Sequence, residues 1–206
     1  MPDGANAPSD KDGNFIWRTA APGTTWGVSF TDQDRLVVTT AGDGTVRWYR
    51  ASDGQQLLTL FVHALDKRWV IWTPKGYYAA SPGGEDLIGW TVNRGDTEAP
   101  DFFSAARFRE TYYRPDIIQT ILDTLDEDAA IKAANDKSGI KTTAEEGIRG
   151  ILPPVVELAM ESDQIQTASS PVQVKYRVRS PSGEKIEKIE VLVDGRPLEA
   201  RAALDI

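Results

Sequence analysis

The chain contains no cysteine. Within these residues that excludes disulfides, thiolate metal sites, iron–sulfur clusters and a cysteine nucleophile. It contains one histidine, His63. Zinc sites usually draw several ligands from His and Cys, so no metal centre is expected. Basic residues are outnumbered 23 to 31, a net charge of −8. Non-specific binding to nucleic acid or to an anionic membrane takes a basic footprint, and none is present. No apolar run approaches the ~18 residues of a membrane span. The opening Met1-Pro2-Asp3-Gly4-Ala5-Asn6 has neither a basic stretch nor an apolar one, so it does not read as a secretory leader. These absences lead to the expectation of a soluble, cytoplasmic chain with no nucleic-acid partner and no membrane span.

What is present suits a folded protein. Hydrophobic residues make up 40% and charged residues 26%, enough apolar matter for a core. A length of 206 residues allows one large domain or two small ones. Residues 1–13 are turn formers without periodicity and read as a disordered lead-in. Phe15-Ile16-Trp17 is the first strand-like segment. Four β-type stretches follow, Trp26 to Phe30, Arg35 to Thr40, Thr45 to Arg50 and Gln55 to Val62. The separators between them contain Asp, and two contain Gly, as tight hairpin turns require.

A repeat is visible beyond them. Phe30 and Trp72 are 42 residues apart, and so are Trp48 and Trp90. Trp69 to Thr73, Gly76 to Ala80 and Leu87 to Val92 would be strands of a second unit. Four-stranded units repeating every ~40–45 residues are the pattern of propeller blades. Residues 14–96 are therefore expected to form about two blades.

From Thr97 the pattern becomes helical, and 97–150 reads as a helical linker. Pro100 and Asp101 suit a helix start, with Phe102, Phe103 and Ala106 near one face. A second helix follows Arg114-Pro115-Asp116. Ile117, Ile118, Ile121, Leu122 and Leu125 form a stripe of helical period. Asp123, Asp126, Glu127 and Asp128 read as its solvated acidic side. Gly139 suits a left-handed helix cap. After Pro153-Pro154, alternation returns at Val156 to Met160, Val172 to Val178 and Ile189 to Val193. Asp194-Gly195 is a hairpin signal, so 151–206 reads as part of an immunoglobulin-like β-sandwich. Two blades cannot close a ring and three or four strands cannot complete such a sandwich. A piece of a longer polypeptide is the expectation.

Catalytic constellations are absent. His63 lies at a strand end and reads as structural. Gly42/Gly44 and Gly83/Gly84 sit between strands, as hairpin glycines and not as a phosphate loop before a helix. Asp10-Lys11-Asp12-Gly13 resembles the start of a calcium loop, but the twelfth position is Ala21 where a Glu is needed. Arg94-Gly95-Asp96 spells an adhesive tripeptide too short to carry weight. Trp69, Trp72, Tyr77, Tyr78 and Trp90 could be core or a binding platform.

As a set, Gly23-Thr24-Thr25-Trp26-Gly27-Val28-Ser29-Phe30, Gly42-Asp43-Gly44-Thr45-Val46-Arg47-Trp48-Tyr49 and Gly76-Tyr77-Tyr78-Ala79-Ala80-Ser81-Pro82-Gly83-Gly84 resemble the end of a bacterial WD40-repeat protein. Phe108-Arg109 and Tyr113-Arg114-Pro115-Asp116 resemble the helical linker of a bacterial group that couples WD40 repeats to a caspase-like (peptidase C14) domain. Pro153-Pro154-Val155-Val156-Glu157 and Val193-Asp194-Gly195-Arg196-Pro197 resemble the immunoglobulin-like module of the same proteins. Trp48-Tyr49 and Trp90-Thr91 stand where the WD40 pattern has Trp-Asp.

The resemblance implies a mainly-β chain without catalytic, cofactor-binding or metal-binding residues, because that family's His and Cys lie in a domain that no part of this chain matches. It implies a protein-interaction scaffold, the regulatory or sensing part of a larger caspase-like protease. Its partners would be other proteins or further parts of its own polypeptide. Two alternatives stand beside it: a hydrolase using blade-edge carboxylates such as Asp43 or Glu85, and a carbohydrate- or surface-binding β module.

Overall fold

Alternating apolar residues and short Asp/Gly turns produce a six-stranded antiparallel meander. A computed structural model describes residues 5–6, 12–13, 16–21, 23–139, 148–158, 175–193 and 196–197. Two short strands come first, β1 (Ala5–Asn6) and β2 (Thr19–Ala20), paired with each other. The main sheet runs β3 (Thr25–Thr31), β4 (Leu36–Ala41), β5 (Thr45–Arg50), β6 (Gln56–Val62), β7 (Trp69–Trp72) and β8 (Tyr78–Ala80), in that spatial order. The first four strands fall where the hydrophobic alternation puts them. Segment 15–17 is not a strand where described, and the rest of the lead-in lies outside the described residues.

The turns show why the register holds. At the β3–β4 turn, Asp32, Gln33 and Asp34 all have positive φ. At the β4–β5 turn, Asp43 Oδ1 accepts hydrogen bonds from Thr45 N (3.0 Å) and Thr45 Oγ1 (2.6 Å). Gly54 at the β5–β6 turn has φ 76°, and a Cβ there would collide with the Trp17 ring. Trp17 in turn donates from Nε1 to Ala51 O at 2.7 Å and packs on Tyr49.

The second half of the predicted repeat behaves differently. β7 pairs with β6 and β8 with β7, so both extend the first sheet. β9 (Gly89–Val92) leaves that sheet and pairs with β10 (Asp101–Ser104). The helix expected from Pro100 is therefore corrected to a strand. Phe103 lies opposite Trp90 and is buried, while Phe102 is exposed, a period of two rather than 3.6. Pairing with β9 overrides the helix-start signals, which were compatible with either state.

Helical structure begins later. A 3-10 turn at Ala105–Phe108 leads into α1 (Arg109–Tyr112), then α2 (Pro115–Thr124) and α3 (Glu127–Ser138). Pro115 takes the first turn of α2, where its missing N–H loses nothing. Ile117, Ile118 and Ile121 are buried on one face of α2. Asp126 caps α3 through Ala129 N, and Gly139 closes it at φ 68°. The core of this part combines Leu57, Leu58, Val70 and Tyr78 of the sheet with Ile117 and Ile121 of α2 and Ala130 of α3.

The chain divides into two units, Met1–Thr142 and Thr143–Ile206. In the second, β11 (Val155–Leu158) pairs with β12 (Tyr176–Arg179), and β13 (Leu192–Val193) pairs with β14 (Arg196–Pro197). The last pairing flanks Asp194-Gly195, as the hairpin signal expects. Arg179 donates from Nε to Glu157 Oε1 at 3.0 Å across the first pair. Val172, Val174, Met160 and 198–206 lie outside the described residues. The observed class is mainly β, with antiparallel sheets and a few helices.

Ile121 is fully buried, whereas Gln119 on the same helix is exposed. Ile121→Ala is expected to cost about 2–5 kcal/mol. Gln119→Ala is expected to stay within about 0.5 kcal/mol of wild type. Urea denaturation of the two variants checks the pair.

Candidate functional site

The residues singled out by the sequence are mostly occupied in holding turns. His63 follows directly after β6, and its Nδ1 lies 2.8 Å from Asp66 Oδ1. Asp66 also accepts from Arg68 N at 3.1 Å and Arg68 Nε at 2.8 Å. The Arg68 backbone bond leads the causes that hold the Asp66 carboxyl down at about 2. Arg68 reaches on to Gly83 O at 3.0 Å. The group is a polar clamp on the β6–β7 turn, with no nucleophile in it.

Asp43 and Glu85 do not converge. Asp43 is engaged by Thr45 and by Arg47 Nη2 at 2.7 Å. Burial pushes its carboxyl up, but the Thr45 hydrogen bonds and the Arg47 guanidinium outweigh that and hold it below the usual range. Glu85 receives Arg109 Nη1 on both oxygens at 2.6 Å, and the same guanidinium lies 3.9 Å over the Tyr113 ring. Each acid is thus neutralised by its own arginine. Among the described residues there is no group of three or more His, Asp or Glu able to hold a metal ion. Arg94 of the Arg-Gly-Asp sequence pairs with Glu98.

The acidic stretch of α2 and α3 needs one correction. Asp123 and Asp128 are exposed, but Glu127 is buried. Glu127 Oε1 accepts Lys75 N from the β7–β8 turn at 3.0 Å, while Lys75 Nζ pairs with Asp128. Burial raises the Glu127 carboxyl above its ordinary value, and contacts to Thr73 and Lys75 offset only part of that. The sequence could not reveal this burial, because the partner turn lies about fifty residues away.

Arg114 also went unread. It is buried, with Nε and Nη2 on Asp116 at 2.9 and 2.6 Å and Nη2 on Asn135 Oδ1 at 2.9 Å. Its backbone N donates to Tyr78 O at 2.9 Å, beside the parallel bridge between Tyr78 and Tyr113. Asp116 is held below the ordinary carboxylate range chiefly by the Arg114 hydrogen bonds. The Pro-Asp pair therefore serves more than helix capping.

The aromatic set separates into two roles. Tyr77 and Tyr78 are core residues, 2% and 0% exposed. Burial pushes the Tyr78 hydroxyl up to about 12, and it donates to Ala105 O at 3.2 Å. Trp72 and Trp90 are half-buried and wall a cleft of about 320 Å³, together with Thr73, Pro74, Gly76 and Ile88. Trp90 is braced from behind by Phe108 at 5.1 Å, edge-on, and by Tyr112 at 5.0 Å.

A second feature lies at the edge of the sheet. Among the described residues, no strand pairs with β3 on the side away from β4. Trp26, Val28 and Phe30 on it are 76%, 56% and 50% exposed. The signal was present as aromatic alternation, but alternation alone does not say which face stays open.

Compared with protein-family models, curated proteins and solved structures, the chain matches none. No helix among the described residues is long and apolar enough to cross a membrane.

Because Glu127 is raised on folding, its ionised form opposes the fold above its folded pKa, and protonation relieves this as pH falls through that value. Glu127→Gln is expected to be at least as stable as wild type at pH 7. The difference should shrink to zero as the pH is lowered through the Glu127 titration. Thermal melts of both proteins from pH 7 to pH 4 check the sign.

Proposed function

We propose that this chain is a non-catalytic protein-interaction scaffold, the regulatory or sensing part of a larger polypeptide that carries a caspase-like peptidase domain. The observation that carries the reading is β3, which among the described residues pairs with β4 alone and has Trp26, Val28 and Phe30 exposed at alternate positions. Edge strands are ordinarily blunted by charge, proline or cover, because their free N–H and C=O groups invite pairing. Here the strand carries a tryptophan, a valine and a phenylalanine instead. The occupant of this face is a further antiparallel sheet, as a preceding WD40 blade would supply. It comes from the same polypeptide or from a partner protein.

Support for a non-catalytic role comes from the polar groups. Asp43, Glu85 and His63 are each engaged in a turn or an arginine pair, as a scaffold needs. The caspase-like association rests on the resemblance of the turn and linker motifs. The immunoglobulin-like reading of the second unit rests on the same resemblance and on the antiparallel β11–β12 pair.

An immunoblot of source cells with an antibody to residues 115–135 is expected to show a band well above the 22.6 kDa of this chain. A band at that mass would contradict the reading. In the purified chain, Trp26→Ser combined with Phe30→Ser is expected to leave the melting temperature within a few degrees of wild type. The same pair should abolish association with the rest of the polypeptide supplied in trans.

A further inference from the structure

We propose that β3 pairs edge to edge with β3 of a second copy of this chain, joining two six-stranded sheets across a two-fold axis at Val28. This inference rests on the scaffold reading, in which β3 is an interface, and it names a second copy as the partner that brings the further antiparallel sheet. Among the described residues β3 pairs with β4 alone, while β1 and β2 pair with each other. A bulge falls between Thr25 and Gly27, but Gly27 to Thr31 keep an unbroken register with β4, which holds that stretch extended. The strand carries no lysine, proline or carboxylate, the residues that ordinarily blunt an edge.

The order of residues along the strand selects a second copy. β3 reads Thr25-Trp26-Gly27-Val28-Ser29-Phe30-Thr31 and is symmetric in residue class about Val28. A two-fold contact is self-complementary: where one residue meets another, the second meets the first. Centred on Val28, it sets Trp26 against Phe30, Gly27 against Ser29 and Val28 against itself. Both aromatic pairs then lie on one face of the joined sheet, with the small residues on the other. Directly opposed aromatic side chains stabilise a strand pair. A shift of one residue sets Trp26 against Ser29 or Thr31 and loses both aromatic pairs. A shift of two sets Phe30 against Thr24, or Trp26 against Asp32. The Val28-centred register alone matches all three apolar side chains.

Charge permits the contact. Each copy carries −8, but none of that charge is on β3. The first carboxylate beyond the strand, Asp32, is paired with Arg35 of its own turn. Across the two-fold axis Asp32 stands opposite Thr24, so the two Asp32 residues are roughly 27 Å apart at the rise of an antiparallel strand. At that distance salt screens them from one another. Area sets the strength. The exposed parts of Trp26, Val28 and Phe30 come to about 350 Å² per copy. Two copies bury at most about 700 Å² of these side chains, below the ~1,200 Å² of a stable complex. The new backbone ladder adds to this. The dimer is therefore weak, with a Kd on the order of 0.1 mM, and the chain is monomeric at low micromolar concentration.

Sedimentation of the whole chain from about 2 µM to about 1 mM, a range that brackets that Kd, tests the proposal. The mass should rise from 22.6 kDa toward twice that value. Val28→Lys places two like charges on the axis and should weaken the dimer about tenfold. Val62→Lys, at an exposed position on β6, should leave it unchanged. The chain has no cysteine of its own, so single introduced thiols report the register. With oxidised glutathione, Val28→Cys should cross-link to its own copy. Phe30→Cys should not, because its two copies stand roughly 13 Å apart, too far for a disulfide. The proposal is overturned by a mass fixed at 22.6 kDa across the range. It is equally overturned by a Val28→Lys dimer as tight as wild type, or by Phe30→Cys cross-linking as fast as Val28→Cys. A chain that stays monomeric yet associates with the rest of the polypeptide in trans would remove this inference and leave the scaffold reading standing. A dimer from a chain whose band in source cells is 22.6 kDa would do the reverse.

Discussion

A buried guanidinium must have its charge met inside the protein, and Arg114 is where the first unit is tied together. Its side chain binds Asp116 at the start of α2 and Asn135 near the end of α3, while its backbone N–H binds Tyr78 of β8. One residue thus sets the first turn of one helix, the last turn of the next and their position against the sheet. Breaking a buried pair of this kind is far more damaging than never having made it, because the partner charge is left behind. The helices are consequently part of the sheet's own unit.

Two further polar contacts complete the attachment. Arg50, at the end of β5, donates from Nη1 to Leu125 O at 2.8 Å. Leu125 has φ 53°, an uncommon region for a bulky residue, and it terminates α2 by donating its N–H to Ile121 O. Glu127 receives the β7–β8 turn through Lys75 N. The helical hairpin is therefore held at its start, its middle turn and its end. Apolar burial between these points, at Ile117 and Ile121 against the sheet core, supplies most of the driving force. The polar contacts decide the geometry.

Much of this was legible in the sequence, and the physical reason differs from element to element. β3 to β6 were readable because period-two alternation and Asp/Gly turns are local signals. The α2 stripe was readable for the same reason, since Ile117, Ile118 and Ile121 recur at helical spacing. Phe102 and Phe103 were misread as helical because two adjacent aromatics have no period, and only pairing with β9 decides their state. The 42-residue repeat placed the strands of the second unit well but not their partners. Pairing depends on which edge is free, and β6 offered an open edge to β7. Glu127 and Arg114 were missed because charge ordinarily means exposure, and their burial depends on partners far away in the chain or across the hairpin. The cleft was half visible, in that Trp72 and Trp90 were grouped together but could not be separated from the core tyrosines.

The central claim is that the face of β3 carrying Trp26, Val28 and Phe30 is an interface. Hydrogen exchange measured by mass spectrometry, on the isolated chain and on the native polypeptide recovered from source cells, tests it most directly. Amides of β3 should exchange faster than those of β4 to β6 in the isolated chain, and slow markedly in the native material. Equal protection of β3 in both samples, whether fast or slow, would contradict the claim.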